Sequence, residues 1–402
     1  MARKRNLFSQ RENKGFFSSL QSSRYGPLWL ILLSIVGIGL IIGLLVMGIM
    51  PLLRLWFGGQ ETPLPLPTPT PLTHGDYTDR ARELLLNRQT LGTKYTVGPT
   101  MVGDGFYLAC GMDNAQNPWI RNILYYDEEA RRGAQEPTVL NLGAFTVGEE
   151  EKNKQILSLD ANGEYVVFLL ADSNGPSQLI CLELATQNIR LIKEIPYGYP
   201  EPKLTGGYVL WNERTGTDTD KLYLFDLKTD ELTTLHVYQN DLLGTGRPGV
   251  SRERIAWSSE HPDYPDSGVH SWIHVLSLTG DDRTVLWYDP GMAAYSPVIS
   301  ANALAWSDNH GSPNSSLYIS IDGALPIKVA EKVAQYGMGD NFLAYCSEGW
   351  IWAYFWRDNR TVRVSPATEF ALLAGVSSHG LVWYDITADQ YQRDILKYMV
   401  LD

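Results

Sequence analysis

Short apolar runs separated by polar turns recur along most of the chain, and one stretch shows the unit clearly. Between Gly206 and Val237 an apolar run ends in an aromatic (Tyr208-Val-Leu-Trp211) and gives way to a polar loop. A second run follows (Leu222 to Leu227), then a Lys-Thr-Asp turn and a third run from Leu232 to Val237. Runs this short, bounded by turn residues, predict β-strands rather than helices. The run that ends in an aromatic or its stand-in occurs seven times, ending at Cys110, Phe168, Trp211, Trp257, Trp306, Tyr345 and Trp383. The intervals are 58, 43, 46, 49, 39 and 38 residues, close to the period of a four-stranded propeller blade.

The other strands of a blade accompany each copy. A short apolar segment precedes it, as at Pro202 to Thr205, Pro248 to Ser251, Pro297 to Ser300 and Gly375 to Ser377. A third strand follows, for example Leu179 to Leu184, Trp272 to Leu278 and Ile351 to Trp356, and in six copies a fourth, for example Ile189 to Ile195. The expected fold is all-β, a seven-bladed β-propeller over residues 94–402, with six blades as the alternative. The seventh copy lacks a fourth strand, and Lys94-Tyr-Thr-Val97 has no blade of its own. That segment is expected to supply the missing outer strand and clasp the ring, since an unpaired edge is a liability.

The segment ahead of the repeats has a different pattern. Residues 1–26 are polar and basic, the expected cytoplasmic tail. Pro27 to Leu53 contains no charged residue, long enough for one transmembrane helix through a lipid bilayer. Six basic residues precede it and only Arg54 follows closely, which predicts a cytoplasmic N-terminus and a propeller outside the cytoplasm. Residues 54–93 form a connector: the alternating prolines of residues 61–75 predict an extended polyproline stalk, and Asp76 to Asn87 reads as one or two helical turns.

Composition sharpens this picture at two points. The aromatic fraction is 11% with 12 Trp and 22 Tyr, against 19% charged residues, which suits strands that bury aromatics. Residues 1–54 carry seven basic residues against one acidic, and the remainder 26 against 44, a net charge of −18. A body that acidic repels phosphate backbones, so no nucleic acid partner is expected. Cys110, Cys181 and Cys346 lie far apart without a CxxC pair, so they read as buried thiols, with one disulfide as the alternative.

The clearest repeat, Tyr295-Ser-Pro-Val-Ile-Ser…Ala303-Leu-Ala-Trp-Ser307…Leu317-Tyr-Ile-Ser, resembles the TolB-like propeller repeat. The similarity covers residues 94–402 as a pattern. The family's usual Ser-Pro-Asp-Gly turn is absent, its nearest versions being Leu159-Asp-Ala-Asn-Gly163 and Val298-Ile-Ser-Ala-Asn302, which leaves the subfamily open. The resemblance implies a bacterial cell-envelope protein of the binding-platform kind. Some relatives of this shape are carbohydrate-active enzymes, among them metal-dependent lyases with His ligands, or gating domains of peptidases.

Candidate chemistry lies on the loops. Those joining strands 2–3 and 4–1 share one face of a propeller, where sites commonly sit. The 4–1 connections carry tyrosines, of which Tyr199, Tyr295 and Tyr336 are candidate ligand contacts. An amphipathic ring near a pore mouth suits a protein loop or a sugar, and it equally suits packing between blades. The loop after Trp257 brings Glu260, His261, Asp263 and Asp266 together, a further ligand-binding candidate. His261, His270 and His310 are the weak candidates for a divalent metal, since no HExxH-type spacing is present. No GxSxG elbow or phosphate-cradling glycine loop occurs, so no catalytic residue and no cofactor are assigned. The expected function is a membrane-anchored, non-catalytic binding or scaffold module for a protein or glycan of the envelope. The alternative is a carbohydrate-active enzyme with its site at the pore mouth.

Overall fold

The computed structural model describes residues 155–401 apart from short loop segments (163, 172–174, 240–245, 253, 262, 264–269, 280–284, 310–313 and 388–394). Ahead of these it describes 77–78, 81–83, 100–102, 107–113, 120–127 and 139–146. The expected tail, membrane span and proline stalk therefore lie outside the described residues. No helix among the described residues is long and apolar enough to cross a membrane.

The architecture is an all-β propeller. Seven four-stranded antiparallel sheets follow one another along the chain; six are meanders in which neighbours in sequence are neighbours in space, and the last takes one strand from the start of the described chain. The third sheet shows the plan: Lys203–Thr205 innermost, then Tyr208–Arg214, Thr219–Asp226 and Glu231–Gln239. Each aromatic-ended run of the sequence is the second strand of its sheet. The innermost strand of each sheet touches that of the next, and Ala371–Val376 of the last sheet touches Thr100–Val102 of the first.

Closure differs from the sequence expectation. The outer edge of Ile395–Val400 is taken by Arg82–Glu83, paired as Arg82↔Tyr398 and Glu83↔Lys397. The clasp is thus twelve residues earlier than Lys94 to Val97, which lie outside the described residues, and it falls where helical turns were expected. The physical reason is the unpaired edge of the last sheet, which offers backbone partners that a solvated helical turn in a polar segment does not. Tyr77 reinforces the clasp: its ring stacks on Phe355 with centroids 5.9 Å apart, and its hydroxyl accepts a 2.8 Å hydrogen bond from Arg360.

The core lies between sheets. Phe168, Trp211, Trp306 and Trp383 are fully buried, and Trp257 and Tyr345 nearly so. Each such ring removes on the order of 150–250 Å² from water, worth about 4–6 kcal/mol as an upper bound. These aromatic positions are therefore structural wedges. Close approach is secured by glycine: a Cβ on Gly249 would lie 2.2 Å from the carbonyl oxygen of Pro297 on the next sheet.

Polar groups tie successive strand 1–2 turns into a belt. Asp160, buried in the Leu159-Asp-Ala-Asn-Gly163 turn, accepts from the amides of Ala161 (3.0 Å) and of Leu204 on the next sheet (2.8 Å). Burial pushes its pKa up, against the opposing pull of Lys203 and these two amides. Asn162 donates to Gly206 O at 2.8 Å, Thr205 donates to Ser251 O, and Arg254 donates to Ala301 O at 2.8 Å. The turn that departs from the usual repeat still performs an inter-sheet task. Cys181 and Cys346 are buried free thiols; burial raises Cys181 to about 11, and Cys346 donates to Ala371 O at 3.2 Å.

Candidate functional site

The inner strands enclose a central channel of about 1420 Å³. At the end bearing the 4–1 and 2–3 connections it is lined by Tyr197, Tyr199, Glu201, Asn212, Arg214 and Arg247, with Tyr336 on the inner wall. Two 4–1 connections meet there: Arg247 donates to Glu201 at 2.7 Å, an ion pair of two half-exposed side chains. At the opposite end Arg252 approaches Asp340 at 3.7 Å. The lining is of mixed charge and internally paired, so it offers no single-sign funnel for a polyanion.

The candidate tyrosines divide into two kinds. Tyr199 is 56% exposed and its neighbour Tyr197 is 62% exposed, because the Pro196 to Pro200 connection carries them past the end of the sheet. Tyr295 is buried, and its backbone carbonyl, with that of Ser296, takes the Tyr336 hydroxyl at 2.8 Å. The same hydroxyl accepts the Ser307 amide at 3.1 Å. Burial raises the Tyr336 pKa well above the usual phenol range, so it serves as a neutral strut between the fifth and sixth sheets. Tyr238 likewise donates to Ser258 O at 3.1 Å from a buried position.

The acidic and histidine candidates cluster on the fourth sheet, away from the channel lining. Glu260 ends the strand Arg254–Glu260 and is half-buried. His261 is 7% exposed, with its ring 4.9 Å from Trp272 and 6.1 Å from His270. Its Nε2 lies 3.7 Å from Asp289, and its Nδ1 accepts the Asp263 amide at 3.2 Å. Asp263 itself is exposed, and Asp266 and His310 lie outside the described residues. Among the described residues no group of three or more His, Cys, Asp or Glu is arranged to hold a metal ion. The cluster joins an aromatic stack: His274 lies flat on Trp257 at 5.0 Å, contacts Trp287 at 5.4 Å, and shares a 2.6 Å hydrogen bond with Ser259 Oγ. Burial lowers the His274 pKa to about 4, with His236 nearby adding to the effect.

Two features escaped sequence reasoning. One is the Glu201–Arg247 rim, whose members are 46 residues apart; their equivalent positions in successive repeats were the available signal. The other is a polar linkage beneath the mouth, where Glu213 accepts from Lys193 at 2.7 Å and from the Trp211 indole at 3.1 Å.

No family model matches the chain, and no curated protein matches it. Among solved structures it is similar to the β-propeller domain of the Trilobed protease from Pyrococcus furiosus, at 13% identity and a TM-score of 0.52. That match covers 76% of this chain and 96% of the other. It is also similar to a chain from a structural and mechanistic study of two prolyl endopeptidases, at 13% identity and a TM-score of 0.50, covering 76% of this chain and 50% of that one. This chain therefore spans about half the length of that peptidase. TolB from Acinetobacter baumannii matches at 14% identity over 58% of this chain and 54% of TolB, but at a TM-score of 0.37 it adds nothing to the fold assignment. At these identities the likeness is one of fold: the chain is a β-propeller.

Proposed function

We propose that the chain is a membrane-anchored, extracytoplasmic binding module, its seven sheets acting as the blades of one ring and its ligand taken at the channel mouth without catalysis. The observation that carries the reading is the pair of exposed tyrosines, Tyr197 and Tyr199, beside the Glu201–Arg247 rim. Large amphipathic rings held on a rigid scaffold and left uncovered are the usual anchors of recognition surfaces. Anchoring is supported by the uncharged stretch Pro27 to Leu53 with its basic flank. The ligand class is a protein or glycan of the cell envelope.

The test is capture from envelope extracts by the wild-type chain and by the Tyr197→Ala/Tyr199→Ala double variant. The double variant should lose the captured component while its melting temperature stays within about 1 °C, because exposed side chains contribute little to folding. Equal capture by both proteins would sink the proposal.

A further inference from the structure

Each of the first six sheets ends in an outer strand that is paired on one side only. Such an edge is a template for a further strand unless charge, proline or a bulge blunts it. Among the outer strands whose side chains are described, four carry charge. Ile189–Ile195 holds Arg190, Lys193 and Glu194, and Glu231–Gln239 starts with its glutamate. Ile327–Ala330 holds Lys328, and Arg360–Arg363 begins and ends in arginine. Val285–Tyr288 of the fourth sheet has no charge at all. It also keeps large apolar groups in water, with Leu286 65% and Trp287 61% exposed. The two are consecutive in a strand and so occupy opposite faces. Trp287 stands opposite His274 and lies 4.4 Å from the Trp272 ring, while Leu286 stands opposite Val275. The Tyr288 hydroxyl donates to Ala324 O of the fifth sheet at 3.3 Å, and the next residue, Leu325, is 60% exposed. An uncharged open edge with bare apolar groups on both faces has the character of an interaction surface.

We propose that Val285–Tyr288 is a self-association edge, to which the same strand of a second copy adds antiparallel about a two-fold axis. The inference is independent of the channel-mouth reading. Charge selects the occupant. Beyond residue 54 the chain carries a net charge of −18, which repels a second copy over most of its surface. Pairing this edge with itself sets four uncharged residues against the same four, and every other described outer strand would bring charge into the pair. Because Leu286 and Trp287 lie on opposite faces, both faces of the joined edge gain apolar cover, and two fourth sheets continue as one. Area sets the strength. Leu286, Trp287 and Leu325 together expose roughly 400 Å² of side chain per copy, about half of what each partner gives to a stable interface. The dimer is therefore weak, dissociating on the micromolar scale.

The experiment is analytical ultracentrifugation of the full-length chain in detergent, over about 1–100 µM. Wild type should pass from monomer to dimer across that range. Leu286→Lys puts a charge into both copies of the paired edge and should raise the dissociation constant about tenfold or more. Its melting temperature should hold, because the side chain it replaces is mostly in water. A short bis-maleimide reagent supplies a second measurement. Leu286→Cys should cross-link into dimers, whereas Leu232→Cys, exposed on the outer strand of the third sheet, should not. Cys181 and Cys346 are buried, and the wild-type chain gives the background. A wild-type chain that stays monomeric throughout would overturn the proposal. So would a dimer that Leu286→Lys leaves unchanged, which assigns the contact to another surface such as Pro27 to Leu53, or equal cross-linking at both cysteine positions.

Discussion

At the scale of single residues, the interior is held by buried rings and by a few charges placed among them. Glu213 has 2% of its side chain exposed and answers both Lys193 and the Trp211 indole, while the Lys193 ammonium lies 4.1 Å over the Tyr223 ring. Replacing Glu213 with Ala leaves a largely buried cation and an indole donor unanswered. Because Lys193 retains 26% exposure, the expected loss is about 2–3 kcal/mol, below that of a fully buried pair, read as a shift in the denaturation midpoint. His274 makes a second prediction. Its folded pKa of about 4 lies below its ordinary value of 6.5, so above pH 6.5 it is neutral in both states and contributes no pH dependence. Between pH 6.5 and 4 the unfolded chain takes up a proton that the folded one refuses, and stability falls; below 4 the loss levels off. His274→Gln should flatten the melting temperature across that window relative to wild type. A variant with the wild-type slope would assign the loss to other groups.

At the scale of elements, each sheet is a sequence-local meander, but the last is completed from far away in the chain. The two-residue strand Arg82–Glu83 and the Tyr77 ring close the outer edge of sheets six and seven. Tyr77→Ala removes a stacked ring and an acceptor for Arg360 and should destabilise by about 2 kcal/mol. Deleting residues 77–83 should cost more and lower the melting temperature further. Deletion of residues 90–97 alone, with 77–83 retained, separates this clasp from the one expected at Lys94 to Val97. Between the inner strands, Gly249→Ala drives a methyl into the Pro297 carbonyl of the neighbouring sheet. The backbone has no rotamer with which to give way, so the expected cost is about 2–3 kcal/mol. A neutral outcome there would mean that the sheets pack less closely at the axis than described.

At the scale of the whole molecule, the propeller brings unremarkable strand ends together around one channel, and only there do Tyr199, Asn212 and Arg247 become neighbours. The proposed topology gives a direct expectation. A cysteine placed at Asp230, an exposed turn position with 68% side-chain exposure, should react with a membrane-impermeant thiol reagent on intact cells. One placed at Ser18 in the basic tail should react only after the cells are opened. The reverse pattern would invert the orientation inferred from the basic residues around Pro27 to Leu53.

How much could be read in advance follows from the range of each interaction. The second strands were legible because each is one uninterrupted apolar run ended by an aromatic, and the pattern from Tyr208 to Trp211 is local in sequence. The repeat spacing carried the all-β class and the propeller architecture for the same reason. Tyr199 was placed among the candidates by its position on a 4–1 connection, yet that rule could not separate it from Tyr295 and Tyr336. Exposure depends on what the adjoining sheet places against the ring, as Ser307 and the Tyr295 carbonyl do for Tyr336. The same limit hid the clasp, because two residues with no strand pattern acquire one only from the open edge of Ile395–Val400. Thus periodicity alone determined the strands, their order and the ring-forming repeat, each being set by side chains a few residues apart. Which tyrosines stay exposed and which strand closes the ring were decided only by tertiary structure, since each depends on surfaces brought together across some forty to three hundred residues.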